Sequence, residues 1–287
     1  MPSLFRTAGH VVRALVPVLA AALPAAPAVG QSTDGARSWS VGLGVVAMRL
    51  PDYRGSDESS NRVLPFPAVT YEGPRLQVGR EGVRAGLLEG SRFELDVSLN
   101  GSLPVRSAGN RAREGMDDLD PTVEVGPSLR AWLWRDPARR SEFALLMPLR
   151  ATLSVDGSGP HMHGWQFAPR LHWRGHDVPG LEGWRVDLSG GPMWGSRRWH
   201  AYFYDVPPQD ARADRPAYAA PGGYAGLQGM LSASREVGRW GLFGFVRADH
   251  LRGAVFEASP LVRRTSHASI GIGLTRSLWS SAATGSP

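Results

Sequence analysis

From Phe93 to Leu103 the chain alternates without a break: Phe93, Leu95, Val97, Leu99, Gly101 and Leu103 stand against Glu94, Asp96, Ser98, Asn100 and Ser102. Successive side chains of a β-strand leave on opposite faces, so this segment carries one apolar and one polar face. Strands of this kind fold in two ways. They bury their apolar faces in a soluble sandwich, or they turn them to lipid around a polar lumen.

The alternation recurs to the end of the chain. Residues 39–47 set Val41, Leu43, Val45 and Ala47 on one face, and residues 63–70 carry Pro65 and Pro67. Residues 122–135 set Val123, Val125, Leu129, Ala131 and Leu133 against Glu124, Ser128 and Arg130. Further strands are expected over 141–154, 165–174, 185–195, 223–235, 241–251 and 265–279. No segment keeps a helical period beyond about two turns. The fold class is all-β.

Three features favour the barrel over the sandwich. The first is an export signal. Arg6, His10 and Arg13 precede an apolar run from Ala14 to Leu23, followed by small residues at Ala26, Ala28 and Gly30. This is the order of a secretory signal peptide, expected over residues 1–30 with cleavage after Ala28 or Gly30. Pro17, Pro24 and Pro27 interrupt the run, against a spanning helix of about 20 apolar residues. The chain has no cysteine, which excludes a lipoprotein anchor, disulfides and thiolate metal sites.

The second feature is the alternation of connection lengths. Short turns are expected at 72–74, 89–91, 136–140, 175–183 and 236–239; long polar loops at 48–62, 104–120, 155–163, 196–222 and 252–264. Bacterial barrels keep short turns in the periplasm and long loops outside. Two short turns flank residues 75–88, so that segment must cross out and back with a tight turn near Glu81 and Gly82. The count is then twelve strands, with ten as the alternative. The barrel is expected over 31–279, with a short tail at 280–287. The third feature is tryptophan: Trp39, Trp132, Trp134, Trp165, Trp184, Trp194, Trp240 and Trp279 fall near strand ends, where interfacial girdles sit.

A mean hydropathy of −0.21 suits a barrel with polar inward residues. All 32 basic residues are arginine, giving a net charge of +6. They are scattered and form no basic helix, so nucleic acid is not an expected partner.

Pro51-Asp52-Tyr53-Arg54-Gly55-Ser56, then Leu64-Pro65-Phe66-Pro67 and Tyr71, resembles the opening of the MltA-interacting protein/OmpV family. The similarity continues through Gly82, Gly86, Leu87 and Leu88, through Met116-Asp117-Asp118-Leu119-Asp120 with Glu124 and Gly126, and into the strand Ser269 to Leu274. It spans nearly the whole chain after the signal. The resemblance implies a barrel in the outer membrane of a Gram-negative bacterium, in contact with outer-membrane lipid and lipopolysaccharide. It also implies a scaffold that joins a murein-degrading lytic transglycosylase to a murein-synthesising penicillin-binding protein. Porin-like and adhesive roles are discussed for other members.

Enzymatic motifs are mostly absent: there is no Gly-x-Ser-x-Gly elbow, phosphate-binding glycine loop or His-Glu-x-x-His. Neither enzyme activity nor a cofactor is expected. His172, His250 and His267 could each stand near a serine on a lipid-facing rim, as any barrel of this size allows by chance. His161-Met162-His163 is expected in a solvated loop without a third metal ligand, and Asp117, Asp118 and Asp120 in a solvated loop entering a strand. With apolar faces to lipid, Glu94, Asp96, Glu124, Arg130, Glu142, Arg150, Arg170, Arg174, Arg185 and Asp187 point inward. Such charges should pair across the lumen, because unpaired buried charge is costly. Twelve strands lie between a filled interior and an open channel, so a narrow or plugged pore is expected.

Overall fold

The computed structural model describes residues 38–73, 76–79, 82–85, 88–89, 92–156 and 159–281. The expected signal peptide and tail residues 282–287 lie outside them, as do Pro74, Glu81, Gly86, Leu87, Gly90 and Ser91 of the sequence reading. One antiparallel sheet holds β1 (Ser38–Pro51), β2 (Ser59–Glu72), β3 (Leu76–Gly79), β4 (Gly82–Ala85), β5 (Leu88–Glu89), β6 (Phe93–Ser102) and β7 (Thr122–Asp136). It continues with β8 (Ser141–Asp156), β9 (Gly159–Phe167), β10 (Arg170–Val178), β11 (Leu181–Gly195), β12 (Gly223–Val237), β13 (Trp240–His250) and β14 (Ser266–Ser280).

Among the described residues, strands adjacent in the chain pair with one another except β4 with β5 and β9 with β10; β9 and β10 both pair with β8 and β11, and the first strand pairs with the last from Ser40↔Ser280 to Arg49↔Ile270. β3 pairs with β4, β5 pairs with β6, and β4 lies against β6. The sheet therefore closes into a barrel, which leaves no open side to a membrane.

Register fixes which face is which. Glu94↔Arg130, Asp96↔Ser128 and Asn100↔Glu124 stand opposite one another, and Thr152 faces Glu124 from β8. Asp96, Glu124, Ser128, Arg130 and Thr152 are buried, down to 0% exposure for Thr152. On the other parity Leu43 is 63% and Ile272 60% exposed, with Leu188, Leu231, Val246 and Ile270 also exposed. Polar residues inside and apolar residues outside is the reverse of a soluble sandwich, and marks a sheet whose outer solvent is lipid. Trp39, Trp134, Trp165, Trp240 and Trp279 are exposed near strand ends, and Trp194 packs with Phe167 and Tyr224 at 6.1 and 6.0 Å. Trp132 departs from the girdle. Its register partner is the buried Ala144, and it stacks under the Arg135 guanidinium at 3.5 Å.

Pro65 and Pro67 share one parity on β2, opposite Val45 and Leu43 of an unbroken β1 ladder. On its other side, β2 pairs with β3 only through Tyr71 and Glu72 among the described residues. Proline donates nothing to a ladder and is at home along such an unpaired edge.

Several boundaries differ from the sequence reading. Residues 155–156 and 159–163 lie in strands, not in a loop. β8 and β9 pair from Leu149↔Phe167 to Asp156↔Gly159. Polar residues such as Ser154 and His161 simply continue the hairpin beyond the apolar band. The strand expected at 165–174 is broken at Ala168 and Pro169, since proline lacks the donor to continue it. The loop expected at 48–62 shrinks to 52–58, because β1 and β2 pair as far as Pro51↔Ser59.

The lumen is not polar throughout. The inward parity of β1, β2, β13 and β14 carries Val46, Met48, Leu64, Phe66, Phe243 and Phe245 beside glycines. A Cβ at Gly44, Gly271 or Gly273 would collide with the ring of Phe66, Phe245 or Phe243. Those glycines let the rings lie flat on the wall instead of crossing the lumen. Replacing Ile272 with Arg on the lipid face should cost about 2–4 kcal/mol if it lies near the bilayer midplane. Urea titration of protein folded into lipid vesicles measures that cost, and an unchanged midpoint would contradict the assigned face.

Candidate functional site

Four long connections meet at one end of the barrel: residues 52–58, 103–121, 196–222 and 251–265. They are not the free polar loops expected from sequence. Tyr53, Leu119, Trp199, Tyr204, Phe256 and Leu261 belong to a buried apolar cluster that these connections build together. The apolar residues are spaced irregularly among polar ones, so no period announces them.

One helix, α1 (Arg197–Tyr204), organises this cap. Ser196 caps it by accepting a hydrogen bond from the Trp199 amide, and Pro207 beyond Val206 disfavours its continuation. Tyr204 is wholly buried and stacks on Phe256 at 3.8 Å and 9°. Its hydroxyl donates to the Arg54 carbonyl at 2.9 Å, and Ser259 Oγ donates to the Tyr204 carbonyl at 2.8 Å. Tyr53 donates to the Leu261 carbonyl at 2.8 Å. Arg215 donates to the carbonyls of Ala112 and Glu114, both at 3.0 Å.

The motif residues of the sequence reading are divided between cap and wall. Gly55 adopts φ +100°, and its carbonyl accepts from the amides of Arg263 and Arg264. Ser56 Oγ accepts from Asn110 at 3.0 Å. The Asp117 carbonyl accepts from Ser107 Oγ at 2.7 Å and from Arg113 at 3.1 Å; the Asp120 carbonyl accepts from Tyr202 at 3.3 Å. Pro51 ends β1, while Pro65, Pro67 and Tyr71 lie on β2. The acidic run thus acts largely through its backbone, and the described residues hold no group of three or more metal-ligating side chains.

Below the cap the wall carries the charges. Arg130 stands 3.9 Å from both Glu94 and Asp96; Arg150 stands 3.5 Å from Glu124 and donates to Ser98 at 3.0 Å. Arg174 reaches Asp187 at 2.7 Å and Glu142 at 3.4 Å, and Arg185 and His172 approach the same Asp187 at 3.4 and 3.5 Å. Arg170 differs. It shares its row with Leu146 and, beyond it, Arg130, and it has no ion-pair or hydrogen-bond partner among the described residues.

A cluster that sequence reasoning missed joins cap to wall. Asp249 on β13 receives Arg54 from the cap at 2.7 Å and Arg247 at 2.9 Å, with His267 3.5 Å away. The register Asp249↔His267 could have suggested the wall half of this cluster, but Arg54 arrives from 195 residues away. Between cap and wall lies a chamber of about 330 Å³, roofed by Tyr53, Trp199, Phe203 and Tyr204. Its lining also includes charged residues from the wall and the cap, polar residues such as Asn100 and Gln228, and Met48 and Leu64.

The histidines singled out earlier separate. His172 and His267 belong to the inward clusters just described. His250 Nδ1 lies 2.7 Å from Ser266 Oγ on the outward parity, beside an open groove of about 590 Å³. Among the described residues no carboxylate orients that imidazole, so the pair lacks the third member of a triad. His161 and His163 lie on β9, where His163 bonds Ser154 at 2.7 Å and stacks on Tyr202 at 3.8 Å.

The sequence matches the family model described as MltA-interacting protein MipA over residues 43–278. The chain belongs to the MipA family. Its match covers all four cap connections and every crossing after the first residues of β1. A comparison with curated proteins returned no match. Among solved structures, an outer-membrane channel from Pseudomonas putida F1 is similar at 10% identity, over 88% of this chain and 99% of that one, with a TM-score of 0.40. The toluene transporter TodX of Pseudomonas putida is similar at 8% identity, over 85% and 68%, with a TM-score of 0.28. The outer membrane protease OmpT of Escherichia coli is similar at 8% identity, over 88% and 99%, with a TM-score of 0.29. Family and inverted barrel together locate this MipA-family chain in the outer membrane of a Gram-negative bacterium.

Burial raises the pKa of Tyr53 and Tyr204 above the ordinary phenol value, and lifts Tyr202 to about 12. The packed cap keeps protons that unpacked loops release above about pH 10. Its stability should therefore be intact below that pH and fall as pH rises through 10 to 12. Limited proteolysis across the cap should show a steep rise in cleavage in this window. Tyr53→Phe with Tyr204→Phe should flatten that rise; an unaltered alkaline profile would contradict it.

Proposed function

We propose that this chain is a non-enzymatic outer-membrane barrel that docks a murein-processing enzyme on its short-turn end. Family membership carries this reading, since the family is described by its interaction with MltA. In this reading β4 with β5, and β9 with β10, each count as one interrupted crossing. The barrel then has twelve crossings, with both sheet termini in the periplasm together with the short connections after β2, β5, β7, β10 and β12. The cap occupies the outer mouth, so the short-turn rim is the surface open to a periplasmic partner. That rim presents Arg139, Arg140 and Asp177, with side chains 85%, 65% and 54% exposed. Exposed ion pairs contribute little to stability, which leaves them free to serve recognition.

A photocrosslinking residue at Arg139 or Arg140 should capture a lytic transglycosylase or penicillin-binding protein at native expression. The same residue placed at Arg111 on the cap should not. Absence of both enzymes from the rim crosslinks would overturn the docking role.

The chamber favours a second reading, a narrow passage for small solutes under a closable cap. Arg54→Gln should loosen the cap's hold on Asp249 and raise single-channel current, and Arg150→Glu with Arg170→Glu should shift selectivity toward cations. A variant barrel that stays silent would end this reading.

A further inference from the structure

The chamber is rich in donors and poor in free acceptors. Arg54 gives Nε to Asp249, yet its Nη1 and Nη2 are buried without a hydrogen-bond partner. Trp199 Nε1 and Gln166 Nε2, on two other lining residues, are likewise buried and unpartnered. Arg62 lines the same space from β2 and has no ion pair among the described residues. Below it, Arg170 stands near Arg130 and Arg150 without a carboxylate of its own. Buried donors without acceptors are costly, so oxygen atoms of an anion are the group this site would gain most from.

Part of the lining is apolar. Trp199, Phe203 and Tyr204 form the roof, and Met48 and Leu64 lead from the chamber to Phe66, Phe243 and Phe245. Phe66 and Phe243 meet edge to face at 6.3 Å. In the order of the sheet, this aromatic wall on β13, β14, β1 and β2 is separated from the arginine wall on β7, β8 and β10 by β11 and β12 on one side and β3 to β6 on the other. The two walls therefore face each other across the lumen. A volume of about 330 Å³ is at the small end of ligand-sized cavities.

We propose that the chamber binds a small amphipathic anion, an aliphatic or aromatic carboxylate. Its carboxylate meets Arg54 and Arg62, and its apolar body lies against the aromatic roof and wall. This deepens the small-solute passage and rests on it for a role, although binding itself needs no flux.

The test is calorimetry on the full barrel in lipid nanodiscs, with empty nanodiscs subtracted, using octanoate, acetate and 1-octanol. Octanoate should bind at least tenfold more tightly than either of the others. Arg62→Gln, which breaks no ion pair among the described residues, should weaken octanoate at least fivefold while the barrel keeps its heat-modifiable gel mobility. Equal binding of 1-octanol overturns the anion half, and equal binding of acetate overturns the apolar half. No octanoate binding, or full affinity in Arg62→Gln, overturns the site. Octanoate flux into proteoliposomes is measured alongside. Binding without flux ends the passage and keeps the site, whereas ion current without octanoate binding does the reverse.

Discussion

A backbone in lipid has no water to satisfy its N–H and C=O groups, and everything else in this molecule follows from meeting that demand. The strands close into one ring, first to last, so that the ladder supplies the missing partners. Closure then assigns the side chains. Because the period is two, one parity must meet lipid and the other must share an interior, and the polar parity goes inward. Charges held there at low exposure need partners, which explains the ion pairs of Arg130, Arg150 and Arg174.

The same demand shapes the mouth. Long connections leaving four hairpins at one end bring tyrosine, tryptophan, phenylalanine and leucine into a common apolar core, with Tyr204 and Phe256 stacked at its centre. Backbone carbonyls of Arg54, Leu261, Ala112 and Glu114 are satisfied by side chains from other loops, so each loop depends on its neighbours. The cap is anchored to the wall through Arg54 and Asp249. It is a small folded layer set over a lumen, and the chamber is the space the two enclose.

The strands were legible because lipid leaves a strong mark on period two. Residues 93–103 or 265–279 can be assigned to faces by inspection, and their register follows. The burial of Asp96, Glu124, Arg130 and Arg150 agrees with that alternation. The cap was not: its apolar residues obey no period, and their partners lie 150 to 208 residues away, as with Tyr204 and Arg54 or Tyr53 and Leu261. The pairing of β8 with β9 beyond Leu153 was hidden because polar residues beyond the membrane band look like loop. The phenylalanine wall was hidden because an apolar inward parity, interleaved with glycine, reads like any buried strand. Pro51-x-Tyr53-x-Gly55-Ser56 pointed to a family by pattern, while its physical purpose in the cap became visible only through Leu261, Asn110 and Arg263.

The central claim is that the long loops form a packed cap over the lumen and not a set of free surface arms. Hydrogen exchange of the folded barrel, read by mass spectrometry over residues 199–206 and 251–262, tests it most directly. A packed cap predicts amides at Tyr204, Val206, Leu251 and Val255 that exchange far more slowly than the exposed turns at the opposite end. Exchange of those segments within the dead time, beside a protected wall, would contradict it.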